Sequence, residues 1–355
     1  MSRTQSGPSR VLVLRADHLG DAILTTPLLR ALAKAGNSVD FMVHDVFLEL
    51  FANNPHISAC HGLDSTCPDL KQNWRQLASW IRRQNYDALV LPFGWPKELL
   101  FASFFSGVRR RLTAHSQFWG NLTLHECPQL RLRFGLQPYP EAILIFADLL
   151  GAPRDSIETD LLVPEENMAR VKNQLSARAP AGRWIGIHPG SGGSACNFPS
   201  TAYETILSRL MAETDSHFVL TGTAAEQHLV AGWAPSLLQS ARVWNSMGEI
   251  SLRDVAALVQ QLDLYICPST ATLHMAGAFR TPTLSPFCPV PCMRPQVWGP
   301  QTGEARFLVP AREQCPPAAL KKTPTCDFAG KIAPEQMVTA ALGILAEKKS
   351  QPKRP

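Results

Sequence analysis

The sequence lacks any apolar run approaching the roughly 20 residues that an α-helix needs to cross a bilayer. Its polar start, MSRTQSGPSR, also lacks the apolar centre of a secretory signal. We therefore expect a cytoplasmic protein. The nine cysteines are an odd number and contain no Cys-x-x-Cys pair, which favours free thiols over a disulfide framework.

Metal-ligand sets are incomplete and a nucleic-acid signature is absent. The pairs Cys288/Cys292 and Cys315/Cys326 each supply only two of the four ligands of a structural zinc site, so we predict no metal. The net charge of +5 lies partly in the two termini, and no basic stripe is interleaved with aromatic residues. This predicts no nucleic-acid partner. The mildly basic body is compatible with an anionic membrane surface or a phosphorylated substrate, and also with ordinary solvated charge.

The length of 355 residues fits two α/β domains. Short apolar runs alternate with helix-length amphipathic segments, which is typical of parallel sheets covered by helices on both faces. The predicted strands are Val11–Leu14, Val39–Val43, Ala88–Leu91, Ile185–Ile187, Phe218–Leu220, Leu264–Cys267 and Thr283–Ser285. A stretch rich in Pro, Asp and Glu at 151–166 indicates a boundary, giving an N-terminal domain of residues 1–165 and a C-terminal domain of residues 166–355.

Ligands of open parallel sheets bind beyond the carboxyl ends of the strands, where helix N-termini present free N–H groups. The first loop in such a position ends in Gly20-Asp21, ahead of a helix predicted over Asp21–Ala35. Asp21 is either a reactive carboxylate or an ordinary acidic residue favoured by the helix dipole. No Gly-x-Gly-x-x-Gly follows the strand, so the sequence does not support a dinucleotide site.

The second loop, His188–Ser194, contains three glycines and two serines directly after a predicted strand. Such a backbone can wrap a phosphate closely, although a plain flexible connection also explains the glycines. It is not a P-loop, because GxxxxGK[ST] is absent. Thr201 and Glu204 have the spacing of a capping box at the start of the next helix.

The third loop contains Ser269 and Thr270, either of which is a natural N-cap for the helix that follows. Their hydroxyls and amides are candidates to hold a second phosphate. His274 falls about one turn into this helix, where it either faces the same end or is a hydrogen-bonded core histidine.

Taken together, these loops resemble glycosyltransferase family 9, the heptosyltransferases of lipopolysaccharide core synthesis. The resemblance rests on three blocks in the family's order: VLVLRADHLGDAILTTPLLRAL at 11–32, IGIHPGSGGSACNFP at 185–199 and LDLYICPSTATLHMAGAFRTPT at 262–283. It implies an α/β chain of GT-B architecture, with two Rossmann-like doubly wound domains facing across a cleft. The acceptor would bind the first domain and the nucleotide sugar the second.

The resemblance also implies roles for individual residues. Asp21 matches the catalytic base that deprotonates the acceptor hydroxyl, Glu226 matches an acidic residue that binds the ribose, and Ile250 falls where the adenine packs. Cys196 stands where family members usually carry a cation beside the leaving diphosphate. The nucleotide-binding residues implied in this way are Ser191, Gly192, Gly193, Ser194, Cys196, Glu226, Ile250, Ser269, Thr270, Ala271 and His274.

The reaction implied is an inverting transfer that needs neither a metal nor another cofactor. The donor would be an ADP-linked heptose or related sugar, and the acceptor a lipid-linked core oligosaccharide reached by peripheral contact with the inner membrane. Two alternatives stay open at this point: a weakly active or inactive sugar-nucleotide-binding module, which Cys196 favours, and a GT-B transferase that uses UDP or GDP donors.

Overall fold

The computed structural model describes residues 9–93, 96–114, 117–128, 137–315 and 327–349. The chain divides into two compact units, with unit 1 ending at Leu162 and unit 2 beginning at Val163; Gln137 and Pro138 group with unit 2. Within the described ranges, no helix is long and apolar enough to span a bilayer.

Unit 1 contains a five-stranded parallel sheet in the order β3-β2-β1-β4-β5. The three inner strands consist mainly of fully buried aliphatic residues, as both faces of this sheet are covered. The strands are β1 (Arg10–Leu14), β2 (Ser38–Val43), β3 (Ala59–Gly62), β4 (Ala88–Leu91) and β5 (Arg110–Thr113).

The helices of unit 1 follow its strands in the chain. The single helix predicted over Asp21–Ala35 is instead two helices that break at Thr25, whose hydroxyl donates to the Asp21 carbonyl at 2.8 Å. Pro27 has no N–H and so favours the start of a new helix here. The described helices are α1 (Leu19–Leu24), α2 (Thr26–Lys34), α3 (Leu48–Phe51), α4 (Leu63–Thr66), α5 (Leu70–Gln84), α6 (Glu98–Phe105), α7 (Gln117–Leu122), α8 (Tyr139–Ile143) and α9 (Ile145–Leu149).

Arg30 on α2 holds the last segment of unit 1 in place. Its buried guanidinium donates to the carboxylates of Asp155 and Asp160 and to the carbonyls of Ser156 and Glu158. Within the described ranges this extended segment pairs with no strand. Charge-assisted hydrogen bonds from Arg30 satisfy two of its carbonyls, and the Thr26 hydroxyl accepts from the Asp160 amide at 2.8 Å.

Unit 2 contains a six-stranded parallel sheet in the order β11-β10-β9-β6-β7-β8. This is the strand order of the doubly wound dinucleotide-binding fold. The strands are β6 (Trp184–Ile187), β7 (His217–Leu220), β8 (Val243–Asn245), β9 (Leu264–Ile266), β10 (Thr283–Pro286) and β11 (Ala305–Leu308).

The helices of unit 2 cover this sheet, and one helix start differs from the prediction. The capping box expected from Thr201 and Glu204 is wrong, because α11 has Pro199 at its N-cap and Glu204 Oε1 accepts from the Ala234 amide at 2.6 Å. The described helices are α10 (Glu165–Arg178), α11 (Ser200–Glu213), α12 (Pro235–Leu238), α13 (Leu252–Gln261), α14 (Ala271–Ala278), α15 (Pro295–Trp298) and α16 (Pro334–Lys349).

Candidate functional site

The candidate loops lie where the strand order of each sheet reverses. In unit 1 this point lies between β1 and β4, and in unit 2 between β6 and β9. Ligands of open α/β sheets bind outside the carboxyl ends of the strands at such a point. The loop after β1 carries Asp21, and the loops after β6 and β9 carry the serines and glycines predicted to bind phosphate.

The loop after β1 is organised by one buried cation. The Arg15 guanidinium, 2% exposed, donates to both carboxylate oxygens of Asp17, at 2.9 and 2.5 Å. It also lies 3.3 Å from Asp21 Oδ1 and donates to the Tyr139 hydroxyl at 2.5 Å. Arg15 therefore holds two carboxylates beside each other, and with both ionised the cluster carries one net negative charge.

The two carboxylates of this cluster sit in different surroundings. Burial raises the pKa of Asp17 to about 6, with Arg15 opposing the rise and the charge of Asp21 adding to it. Asp21 lies in the first turn of α1, where the helix dipole stabilises negative charge. Sequence reasoning selected Asp21 but missed Arg15, Asp17 and Tyr139, although Asp17 lies in the same short loop.

The loop after β6 contacts Glu226 from the loop after β7. A Cβ atom at Gly190 would lie 2.0 Å from Glu226 Oε1, so the carboxylate lies directly against the Gly190 backbone. The other oxygen, Oε2, accepts from the Thr223 amide at 2.9 Å and from its hydroxyl at 3.0 Å. These hydrogen bonds hold Glu226 beyond the carboxyl end of β7, next to the glycine-rich turn.

The turn Ser191–Ser194 is exposed and closes on itself. The Ser194 amide and hydroxyl both donate to the Ser191 carbonyl, at 2.9 and 2.7 Å. Gly192 and Gly193 have φ of 53° and 74°, which glycine adopts readily, and a Cβ atom on either would meet no atom within 4 Å. The turn thus leaves open space beside its two glycines, where an anion can approach the backbone.

A chain of buried polar groups lies beneath this turn. His188 Nδ1 is 3.1 Å from Thr221 Oγ1, which is 2.7 Å from the Tyr265 hydroxyl. Burial lowers the pKa of His188, against the influence of Glu226, so its imidazole is neutral at neutral pH. The network joins β6, β7 and β9 at their carboxyl ends, and sequence reasoning gave no indication of it.

The loop after β9 ends at Thr270, the N-cap of α14. The Thr270 hydroxyl lies 3.1 Å from that of Thr272 and does not bond to a helix amide, while Ser269 and Ala271 are half-buried. His274 is 6% exposed and burial lowers its pKa to about 4. His274 therefore brings no positive charge to this end of the helix.

Ile250 is half-buried just before Ser251, the N-cap of α13. The preceding segment contacts the Glu226 loop, because the Gly248 amide donates to the Gly222 carbonyl at 3.0 Å. A Cβ atom at Gly248 would lie 2.7 Å from the Cα atom of Ala224. The Ile250 segment and the Glu226 loop are therefore neighbours.

Cys196 lies in the core rather than on the surface of the glycine-rich loop. It is 3% exposed and belongs to an apolar cluster that includes Phe198, Cys288 and Val290. Its hydrogen bond to the Cys288 sulfur lowers the pKa of Cys288. A small thiol behaves as an apolar group in such surroundings, so its side chain does not share the exposed surface of Gly192 and Gly193.

Two parallel-sheet α/β units, with candidate loops at the strand-order reversals, are the two components of the GT-B fold. The model of glycosyltransferase family 9 (heptosyltransferase) matches residues 140–325. The chain belongs to this family. Lipopolysaccharide heptosyltransferase 3 of Escherichia coli is 22% identical to it over 277 residues, which cover 76% of this chain and 80% of that protein.

Two solved structures share the fold over nearly the whole chain. A family 9 glycosyltransferase from Veillonella parvula superposes with a TM-score of 0.78 and 17% identity, covering 98% of this chain and all of that one. The Escherichia coli ADP-heptose lipopolysaccharide heptosyltransferase II superposes with a TM-score of 0.75 and 18% identity, covering 96% and 100%. Both likenesses concern the fold.

Proposed function

We propose that the chain transfers a heptose or related sugar from an ADP-linked donor to a lipopolysaccharide core acceptor. The observation that carries this proposal is the arrangement of three loops at the carboxyl edge of the unit 2 sheet. The Ser191–Ser194 turn and the N-terminus of α14 follow the adjacent strands β6 and β9, while Glu226 lies against Gly190.

Each part of this edge suits one part of a nucleoside diphosphate. The open turn and the α14 N-terminus offer backbone N–H groups to two phosphates. The Glu226 carboxylate, fixed by Thr223, is an acceptor for the two ribose hydroxyls. The segment at Ile250 offers an apolar contact to the base. The relatives named above include an ADP-heptose enzyme, which supports adenine and heptose for this chain as well.

The chemistry follows from Asp21 and the leaving group. Asp21 removes the proton from the acceptor hydroxyl, which attacks the anomeric carbon in line and so inverts it. General-base help of this kind contributes roughly 10²–10⁴-fold. The departing diphosphate gains charge, and the backbone N–H groups of unit 2 stabilise that charge without a metal ion.

Calorimetry on the purified full chain tests the donor half of the proposal. ADP should bind at least about tenfold more tightly than AMP, because charge-assisted hydrogen bonds to the second phosphate contribute roughly 1.5–3 kcal/mol. Glu226→Gln should weaken ADP and AMP by the same factor, because the ribose is common to both. Equal affinity for ADP and AMP would remove the diphosphate site, and a preference for UDP or GDP would remove the adenine assignment.

A further inference from the structure

The buried Arg15 side chain pairs unequally with its two carboxylates. Its Nε and Nη2 atoms donate to Oδ1 and Oδ2 of Asp17, at 2.9 and 2.5 Å, and its Nη1 atom donates to the Tyr139 hydroxyl. Two parallel bonds of this kind are a strong arrangement of arginine with a carboxylate. Asp21 approaches the same cation through one oxygen only, 3.3 Å from Nη2. Asp17 and Asp21 are therefore unequal competitors for one positive charge.

Both carboxylates keep some access to solvent, whereas the cation has almost none. The side chains of Asp17 and Asp21 are 15 and 21% exposed, and that of Arg15 is 1% exposed. A buried guanidinium keeps its charge and needs a partner. Among the described residues, loss of the Asp17 charge would leave Asp21 as the carboxylate that pairs with Arg15. A carboxylate paired closely with arginine binds a proton less readily.

This competition bears on the reaction proposed above, in which Asp21 takes the proton of the acceptor hydroxyl. We propose that Asp17 is a positioning residue that engages Arg15, so that Asp21 remains available to accept that proton. The inference rests on the proposed function, because Asp17 can act in this way only if Asp21 is the base. Asp17 need not touch the acceptor, since it acts through Arg15.

Asp17 loses its charge in a pH range where turnover can be followed. Burial raises the pKa of Asp17 to about 6 against the attraction of Arg15, with the charge of Asp21 adding to the rise and that of His18 opposing it. The remaining group that faces the cluster is Tyr139, which stays neutral because burial raises the pKa of its hydroxyl. Below a pH of about 6 Asp17 binds a proton and releases Arg15 to Asp21. Turnover should therefore fall as the pH decreases through about 6.

Turnover of the full chain with ADP-heptose and lipopolysaccharide core oligosaccharide, measured against pH, tests this in the wild type and in Asp17→Asn. At a pH of about 7 the variant should be about tenfold slower, which is part of the roughly 10²–10⁴-fold that a general base contributes. At a pH of about 5 the two should agree within about twofold, because wild-type Asp17 is then mostly protonated. A purely structural role of Asp17 would lower turnover by the same factor at both pH values. That result would overturn the proposal, as would a wild-type turnover that does not change between them.

Two control variants test whether the effect belongs to Asp17. Asp148→Asn removes one exposed carboxylate of unit 1, and His18→Gln removes the exposed imidazole beside the cluster. Both should keep the wild-type dependence of turnover on pH. Loss of the rise in His18→Gln would assign it to the imidazole and contradict the proposal. A tenfold loss in Asp148→Asn would show a general effect of charge and contradict it as well.

Two further measurements separate this inference from the functions proposed for Asp21 and for unit 2. Asp17→Asn should bind ADP with wild-type affinity, because the nucleotide is proposed to bind unit 2. If Asp21→Asn keeps near wild-type turnover, the base assignment fails, and the role of Asp17 fails with it. If Asp21→Asn is slow while Asp17→Asn matches the wild type at every pH, Asp21 remains the base and only the role of Asp17 is overturned.

Discussion

The Glu226 carboxylate lies against the backbone of Gly190. A Cβ atom at position 190 would lie 2.0 Å from Glu226 Oε1. Gly190→Ala should therefore displace Glu226, breaking its hydrogen bonds from Thr223. Since a hydrogen bond to a charged group contributes roughly 1.5–3 kcal/mol, ADP affinity should fall by about tenfold or more, and AMP affinity with it. Calorimetry measures both.

Gly232→Ala is the control for Gly190→Ala. A Cβ atom at Gly232 would meet nothing within 4 Å, so this variant should keep wild-type affinity. Undiminished ADP binding by Gly190→Ala would mean that the Glu226 carboxylate does not contact the nucleotide.

Asp21→Asn separates binding from chemistry. The variant should keep its affinity for ADP, because the nucleotide is proposed to bind unit 2, while turnover falls by a factor of about 10² or more through loss of the general base. Steady-state kinetics with donor and acceptor, alongside ADP titration, gives both numbers. Near wild-type turnover would reduce Asp21 to an acidic residue favoured by the α1 dipole.

The raised pKa of Asp17 predicts a pH dependence of stability. An unfolded Asp ionises near a pH of about 4, whereas folded Asp17 ionises at about 6. Between these values the folded state binds more protons, so the free energy of unfolding falls as pH rises through the window. The Asp17→Asn variant does not ionise at this position, so it escapes the fall in stability. Its free energy of unfolding should rise relative to that of the wild type by about 2 kcal/mol between pH values of about 4 and 7.

Urea unfolding of both proteins across this range checks the prediction. Asp215→Asn, a change at an exposed carboxylate of unit 2, controls for the loss of one negative charge. A constant difference between Asp17→Asn and the wild type at all pH values would show that the attraction of Arg15 offsets the burial of Asp17 and leaves its pKa unshifted on folding.

Burial of Cys196 predicts losses of stability of very different size for two substitutions. Cys196→Arg places an unpaired cation in the apolar cluster around Phe198 and should lower the free energy of unfolding by roughly 3–5 kcal/mol. Cys196→Ser removes no volume of note and should cost about 1 kcal/mol. Thermal unfolding distinguishes them. A stable Arg variant with tighter ADP binding would show instead that this side chain reaches the phosphates.

The strands that could be predicted are the inner strands of both sheets. Runs such as Leu12–Leu14 and Ile185–Ile187 are apolar throughout because both faces of an inner strand are buried. The unpredicted strands β3, β5, β8 and β11 are the four sheet edges. An edge strand is buried less completely, so polar residues such as His61 and Arg110 interrupt its apolar pattern.

Some features of the candidate site could likewise be predicted from the sequence and others could not. The loops carrying Asp21, Ser191 and Thr270 could be located because each directly follows an inner strand and precedes a helix. The contact between Arg15 and Tyr139 could not be predicted, because 124 positions separate the two residues. The direction of the Cys196 side chain also could not be predicted from the sequence, because it depends on how the turn before α11 folds back onto the core.

Arg15 and Arg30 have a consequence for how unit 1 is made. Arg15 bonds to Tyr139 as well as to the nearby Asp17, and Arg30 bonds to residues 155–160, so neither buried cation has its complete set of partners until most of unit 1 has been synthesised. Loop closure over such distances is slow compared with local helix formation. A chain truncated before residue 139 would therefore contain Arg15, Asp17 and Asp21 without the Tyr139 hydroxyl that completes their cluster.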